Sequence, residues 1–154
     1  MASYYLESSA LVKRYVVETG TAWIRGLSAP FSGNTLFIAQ ITGVEAVAAI
    51  TLRARRGATS PGDAATAIAN FRRDFALGYF AVPITLAVIG RAMDLTETHG
   101  LRGYDAVQLA TALQVQAQRQ ANGLPAIVFV SADNNLNAAA TAEGLSVDDP
   151  NAHP

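Results

Sequence analysis

Four carboxylates stand out in this chain by where they fall. Glu7 directly follows the aromatic and apolar run Tyr4, Tyr5 and Leu6, and Asp133 follows the apolar residues 126–130 with Ser131 and Ala132 between. Glu45 shares a helical stripe with Ile41, Ala48, Ala49 and Leu52, so it points along a face that otherwise looks inward. A carboxylate there needs a partner. Asp105 opens another helical pattern, just ahead of Leu109 and Ala112.

Taken singly, each acid has an ordinary explanation. Asp105 and Asp133 could cap helices or complement their dipoles, Thr42 with Glu45 fits a capping box, and Glu7 could accept backbone N–H bonds from the short helix behind it. Gathered at one edge of a small sheet they would be costly. Two carboxylates about 5 Å apart repel by roughly 3 kcal/mol at an effective dielectric near 20, which calls for a cation.

Oxygen ligands select Mg²⁺ or Mn²⁺, whereas zinc would recruit His or Cys. Cysteine is absent, and only His99 and His153 are present. His99 precedes Gly100 and is read as a helix-end residue, while His153 is expected to have no role. A Mg²⁺ held by carboxylates suits phosphodiester hydrolysis, because it acidifies a water and neutralises phosphate charge without any protein nucleophile. No Gly-x-Ser-x-Gly or P-loop motif occurs, and Ser8 and Ser9 have no His base nearby in sequence, so serine hydrolases and P-loop enzymes are disfavoured.

The elements that must position these acids alternate. Strands are expected at residues 4–6, 36–39, 79–84, 126–130 and 145–147. Helices are expected at 10–17, 21–27, 42–56, 61–77, 85–99, 104–121 and 134–143, with Ser60 and Pro61 as N-cap and first helical residue of the fourth. This alternation predicts an α/β fold, a three-layer α/β/α sandwich around a mainly parallel sheet. In such sheets ligands sit beyond the carboxyl ends of the strands, where strand order reverses, and Glu7 and Asp133 fall there.

The 154 residues fit one domain, placed at 1–148, with 149–154 as a loose polar tail. With 51% hydrophobic and 15% charged residues, the chain is not disordered. No apolar stretch approaches the roughly 20 residues of a membrane span. The N-terminus lacks the basic region and longer apolar core of a secretory signal, so a cytoplasmic protein without disulfides is expected. A net charge of −1 gives no global attraction to nucleic acid, leaving RNA contact to local clusters such as Lys13-Arg14, Arg53/Arg55/Arg56 and Arg72-Arg73.

The opening Tyr4-Tyr5-Leu6-Glu7-Ser8-Ser9-Ala10-Leu11-Val12-Lys13 resembles that of the PIN-domain family, specifically the VapC-type toxins of bacterial toxin–antitoxin pairs. Val44-Glu45, Leu101-Arg102-Gly103-Tyr104-Asp105-Ala106 and Phe129-Val130-Ser131-Ala132-Asp133 match the family's other three acidic motifs in order and spacing, so the resemblance covers almost the whole chain. It implies a Mg²⁺- or Mn²⁺-dependent endoribonuclease acting on structured or transfer RNA, a VapB-like antitoxin that blocks the site, and a homodimer. It makes Glu7, Glu45, Asp105 and Asp133 the metal-binding acids, with Ser9 and Ser131 as supporting polar groups.

One residue departs from the family pattern. Asp is usual where this chain has Glu7, and the extra bond extends the carboxylate by about 1.5 Å. Reduced activity, or a preference for Mn²⁺, is the expected consequence. Two alternatives compete with a working nuclease. One is a catalytically weakened member of the fold that binds RNA or antitoxin. The other is a Mg²⁺-dependent phosphoryl-transfer or receiver domain, which would want a lysine after a late strand, where this chain's only lysine is Lys13.

Overall fold

A computed structural model describes all residues from Met1 to Pro154. Five parallel strands form one sheet in the order β3-β2-β1-β4-β5, where β1 is Ser3–Leu6, β2 Thr35–Ala39, β3 Phe80–Val82, β4 Val128–Val130 and β5 Ser146–Asp148. Parallel strands are covered on both faces, and their side chains alternate accordingly. Tyr5 and Phe129 face one core with Leu95, Leu109 and Leu136, while Leu6, Ile38 and Val130 face a second core with Leu11, Ile24, Ile50 and Phe71.

The helices divide between those two cores. On one face lie α5 (Leu86–His99), α6 (Gly103–Ala121) and α7 (Asn134–Ala142). On the other lie α1 (Ser8–Leu11), α2 (Thr21–Leu27), α3 (Gln40–Arg55) and α4 (Pro61–Leu77). The result is the three-layer α/β/α sandwich expected from the alternation of elements. No helix is long and apolar enough to cross a membrane.

Several boundaries differ from the sequence reading, each for a local reason. The first helix starts earlier and is shorter than 10–17, because Glu7 caps α1 and the chain then tightens into a 3-10 turn at Val12–Arg14. The third strand is confined to Phe80–Val82, since Pro83 cannot continue the ladder. The helix after β2 begins at Gln40, with Ala39 at its N-cap and no side-chain cap bond, so the capping box of Thr42 with Glu45 does not form. Both side chains are drawn elsewhere, as described below.

Residues 149–154 are not a loose tail. Asp149 caps a 3-10 turn at Pro150–Ala152, His153 Nε2 lies 2.8 Å from Asp148 Oδ1, and the His153 ring stacks on Trp23 at 4.2 Å between centroids. Gly20 makes this docking possible: at φ +87° it adopts the left-handed conformation, and a Cβ there would lie 2.3 Å from the carbonyl oxygen of Pro150. A polar segment thus packs because an exposed-looking Trp gives it a partner.

Candidate active site

Strand order reverses at β1, whose neighbours are β2 and β4, so the crevice expected for a ligand opens beyond the carboxyl ends of β1 and β4. Glu7 continues directly from β1, its N–H bonded to the carbonyl of Val130 at 3.0 Å. Ser131 and Asp133 continue from β4 into α7. Asp105 lies in the first turn of α6 and Glu45 in the second turn of α3.

Glu7 is 5% exposed and acts as the N-cap of α1. Its Oε2 accepts the Ser9 N–H at 2.9 Å and a bond from the Ser9 hydroxyl, so both bonds fall on one oxygen. The same hydroxyl accepts the N–H of Ala132 at 2.9 Å, so Ser9 ties the two strand ends together. Burial pushes the Glu7 carboxyl up to about 7; the Ser9 bonds oppose this, and the charges of Glu45 and Asp105 add to it. A raised carboxyl is expected from a crowd of acids, but here desolvation is the larger cause.

Glu45 is held on both oxygens. Ser8 donates to Oε2 at 2.8 Å, and Gln108 of α6 donates to Oε1 at 3.0 Å. Gln108 is fully buried; its amide also lies 2.8 Å from the Thr42 hydroxyl, and its carbonyl accepts from Tyr5 at 2.8 Å. This polar network, absent from the sequence reading, had a signal. Gln108 stands on the stripe of Ala112 and Val115, where an amide in an apolar row needs partners.

Asp133 caps α7 through Oδ1, which accepts the Leu136 N–H at 2.9 Å, and its own N–H donates to the Ser131 hydroxyl at 3.1 Å. The capping explanation for Asp133 is therefore correct, and it leaves Oδ2 outside the cap. For Asp105 the N-cap explanation fails, because the cap of α6 is Arg102. Arg102 Nε donates to Asp105 Oδ2 at 2.9 Å, and its Nη2 reaches Asp133 Oδ2 at 3.5 Å. The Arg102 side chain is 80% exposed, so one guanidinium spans both acids from the solvent side.

The donor set at this edge is all carboxylate oxygen, the chemistry of a hard divalent cation. As the side chains stand, no three of them converge tightly enough to enclose an ion, and Arg102 supplies the positive charge between Asp105 and Asp133. His99 pairs with Glu143 at 2.8 Å, next to the Gly100 that ends α5, and it also lines the cavity beside Asp105 and Asp133.

Two cavities flank the acids. One of about 790 Å³ is bordered by Arg102, Asp105, Asp133 and Asn135. The other, of about 380 Å³, is bordered by Ser8, Ser9, Glu45, Lys13 and Arg53.

No family model matches the chain. Two curated relatives do, Ribonuclease VapC45 of Mycobacterium tuberculosis strain CDC 1551 and Ribonuclease VapC49 of strain H37Rv, each 32% identical over 148 residues, which is 96% of this chain and 95% of the relative. The fold is shared with a structure of VapBC2 from Rickettsia felis bound to a promoter DNA fragment, with a TM-score of 0.60 at 13% identity over 96% of this chain and 98% of that one. It is also shared with a toxin–antitoxin complex from Klebsiella pneumoniae, with a TM-score of 0.57 at 14% identity over 96% and 97% of the two chains. With near-full-length relatives at that identity and this five-stranded parallel sheet, the chain belongs to the VapC family of PIN-domain toxins.

Proposed function

We propose that this chain is the ribonuclease toxin of a toxin–antitoxin pair, an endoribonuclease that hydrolyses RNA phosphodiester bonds with Mg²⁺ or Mn²⁺ held by Glu7, Glu45, Asp105 and Asp133. The observation that carries the reading is their placement on one edge at the β1/β4 switch point, with Glu7 buried there and its carboxyl raised. A divalent cation bound at this edge supplies an acidified water and neutralises charge on the phosphate.

The chain's own residues do the positioning. Ser8 and Gln108 fix both oxygens of Glu45, so its carboxylate is oriented before any ligand arrives. Ser9 fixes one oxygen of Glu7 and Ser131 orients the turn that carries Asp133. Arg102, on release from the acids, is long and exposed enough to turn toward a phosphate.

The relatives' names and the toxin–antitoxin neighbours motivate the partners: RNA, with transfer RNA as one candidate, a VapB-like antitoxin and a second copy of the chain. The apolar groove of about 480 Å³ between α3 and α4, lined by Val44, Val47 and Phe75, suits an antitoxin segment. The reading places the protein in the cytoplasm.

Purified protein is expected to cut RNA with added Mg²⁺ or Mn²⁺, and to lose that ability with EDTA or on Asp105→Asn. Cleavage that persists under both conditions overturns the proposal. A second reading, a weakened nuclease that still binds metal and RNA, is favoured by one observation: Glu7 folds one oxygen back onto Ser9. Metal binding without cleavage would select it. The receiver reading gains no support, since Lys13 sits in the 3-10 turn after α1 and pairs with Glu18.

A further inference from the structure

Lys13 and Arg53 belong to two basic clusters far apart in sequence, yet the fold brings both to one carboxylate. Lys13 Nζ lies 3.4 Å from Glu18 Oε1, a charge contact too long for a good hydrogen bond, and Arg53 Nη2 donates to Glu18 Oε2 at 2.8 Å. The Lys13 side chain is only 7% exposed. Burying an ammonium is costly unless it is fully paired, and here two cations share one acid, with the Glu45 carboxylate on the same cavity already held by Ser8 and Gln108. The Arg53 Nη1 group is buried and has no hydrogen-bond partner at all.

These cations line the cavity of about 380 Å³ that also reaches Ser8, Ser9 and Glu45. Of the four acids, Glu45 borders this cavity, while Asp105 and Asp133 border the larger cleft. A nucleic acid strand lying across the acids therefore sends one flank toward Lys13 and Arg53. A cation pair serving only to staple α3 to the turn after α1 would have no use for an open cavity or for an unmatched N–H.

We infer that Lys13 and Arg53 form a binding subsite for an RNA phosphate that neighbours the one being cut, with Glu18 holding the two cations in place until the phosphate arrives. The inference rests on the nuclease reading above. The phosphate accepts from Arg53 Nη1 and from the Lys13 ammonium, replacing the long contact to Glu18, and it fixes the register of the strand across the acids.

The test uses the full chain, silenced by Asp105→Asn, and a 12-nucleotide single-stranded RNA. Binding is measured by fluorescence anisotropy across a salt series. Lys13→Met and Arg53→Gln are each expected to weaken binding about tenfold, the usual worth of a hydrogen bond to a charged group. Each should also reduce the slope of log K against log salt by about 0.7. Glu18→Gln is expected to strengthen binding, which loss of a structural staple would not do. Replacing single phosphates by neutral methylphosphonates should reveal one position whose effect disappears in Lys13→Met. If Lys13→Met fails to fold, Arg53→Gln alone decides, since that side chain is closer to solvent. Unchanged affinity and salt slope in the folded variants, while the unsilenced protein cuts RNA, overturns the subsite and leaves the nuclease reading standing. If the unsilenced protein cuts no RNA with Mg²⁺ or Mn²⁺, both fall.

Discussion

Gln108 donates to Oε1 of Glu45 at 3.0 Å across 63 residues of sequence, and this one amide fastens an acid of α3 to the buried face of α6. Because Tyr5 and Thr42 use the same amide group, it joins three polar side chains, two of them buried. Replacing it by Leu, of similar volume, removes its bonds to the Tyr5 hydroxyl, the Thr42 hydroxyl and one Glu45 oxygen. Each orphaned buried polar group costs about 1–3 kcal/mol, so Gln108→Leu should lose about 2–5 kcal/mol in urea unfolding. It should also lose metal affinity, because Glu45 is no longer oriented. Wild-type stability in that variant would show that the network contributes little.

The raised carboxyl of Glu7 makes stability depend on pH in a definite direction. Its value in the fold, about 7, lies above its ordinary value of 4.5, so the folded chain prefers the protonated form. Below pH 4.5 this contribution is fully present; it declines as the unfolded chain ionises and is lost once the pH rises through about 7. A shift of that size corresponds to about 3 kcal/mol of stability in the metal-free protein. Glu7→Gln should flatten the pH profile over this window. A divalent cation stabilises the ionised form, so adding Mg²⁺ should raise Tm more at pH 8 than at pH 5, and EDTA should reverse it. A Glu7 resonance that titrates near pH 4.5 in the apo protein would contradict the burial argument.

Glu7→Asp shortens the side chain while keeping an acid and a good N-cap. The shorter carboxylate still reaches the Ser9 N–H but sits about 1.5 Å further from the crevice. If the metal position follows the family's usual Asp, the variant should cut RNA faster in Mg²⁺, by up to about 10²-fold, and the Mn²⁺ to Mg²⁺ activity ratio should fall. Equal rates for the two proteins would mean that the longer side chain is accommodated without cost.

Much of this edge is legible in sequence because strand ends are. Glu7 and Asp133 follow apolar runs that bury both faces of a strand, and the alternation of strands with helices fixes where such ends collect. Arg102 is different: its contact with Asp105 is a local spacing, but its contact with Asp133 spans 31 residues and exists only once α6 and α7 are docked. The pairing of Lys13 with Arg53 through Glu18 is hidden for the same reason. The closing residues look loose because they are polar, and nothing in their own composition says that Trp23 offers them a flat apolar surface.

That docking can be tested at Gly20. Its Cβ would overlap the Pro150 carbonyl, and φ +87° is unfavourable for any L side chain, so Gly20→Ala should cost about 1–3 kcal/mol and release the C-terminal turn. Trp23 would then be exposed to water, shifting its fluorescence to longer wavelength. Since Trp23 is the chain's only tryptophan, the signal is unambiguous. An unshifted spectrum with unchanged Tm would show that the turn at Pro150–Ala152 does not depend on this contact.

Arg102 offers the sharpest test of whether the acid edge is built for a cation. The hydrogen bond to Asp105, and then the nearby charges of Asp105 and Asp133, hold the guanidinium above its ordinary pKa, so in the metal-free protein it is the positive charge that separates these two carboxylates. A divalent ion entering between them must displace it. Arg102→Gln removes the competitor, and Mg²⁺ or Mn²⁺ should then bind more tightly in a calorimetric titration, with the gain shrinking as salt screens the exposed pair. RNA affinity should move the other way, because the residue displaced from the acids would no longer meet a phosphate. Weaker metal binding in Arg102→Gln would instead mean that the arginine orients Asp105 and Asp133 for the ion rather than standing in its place.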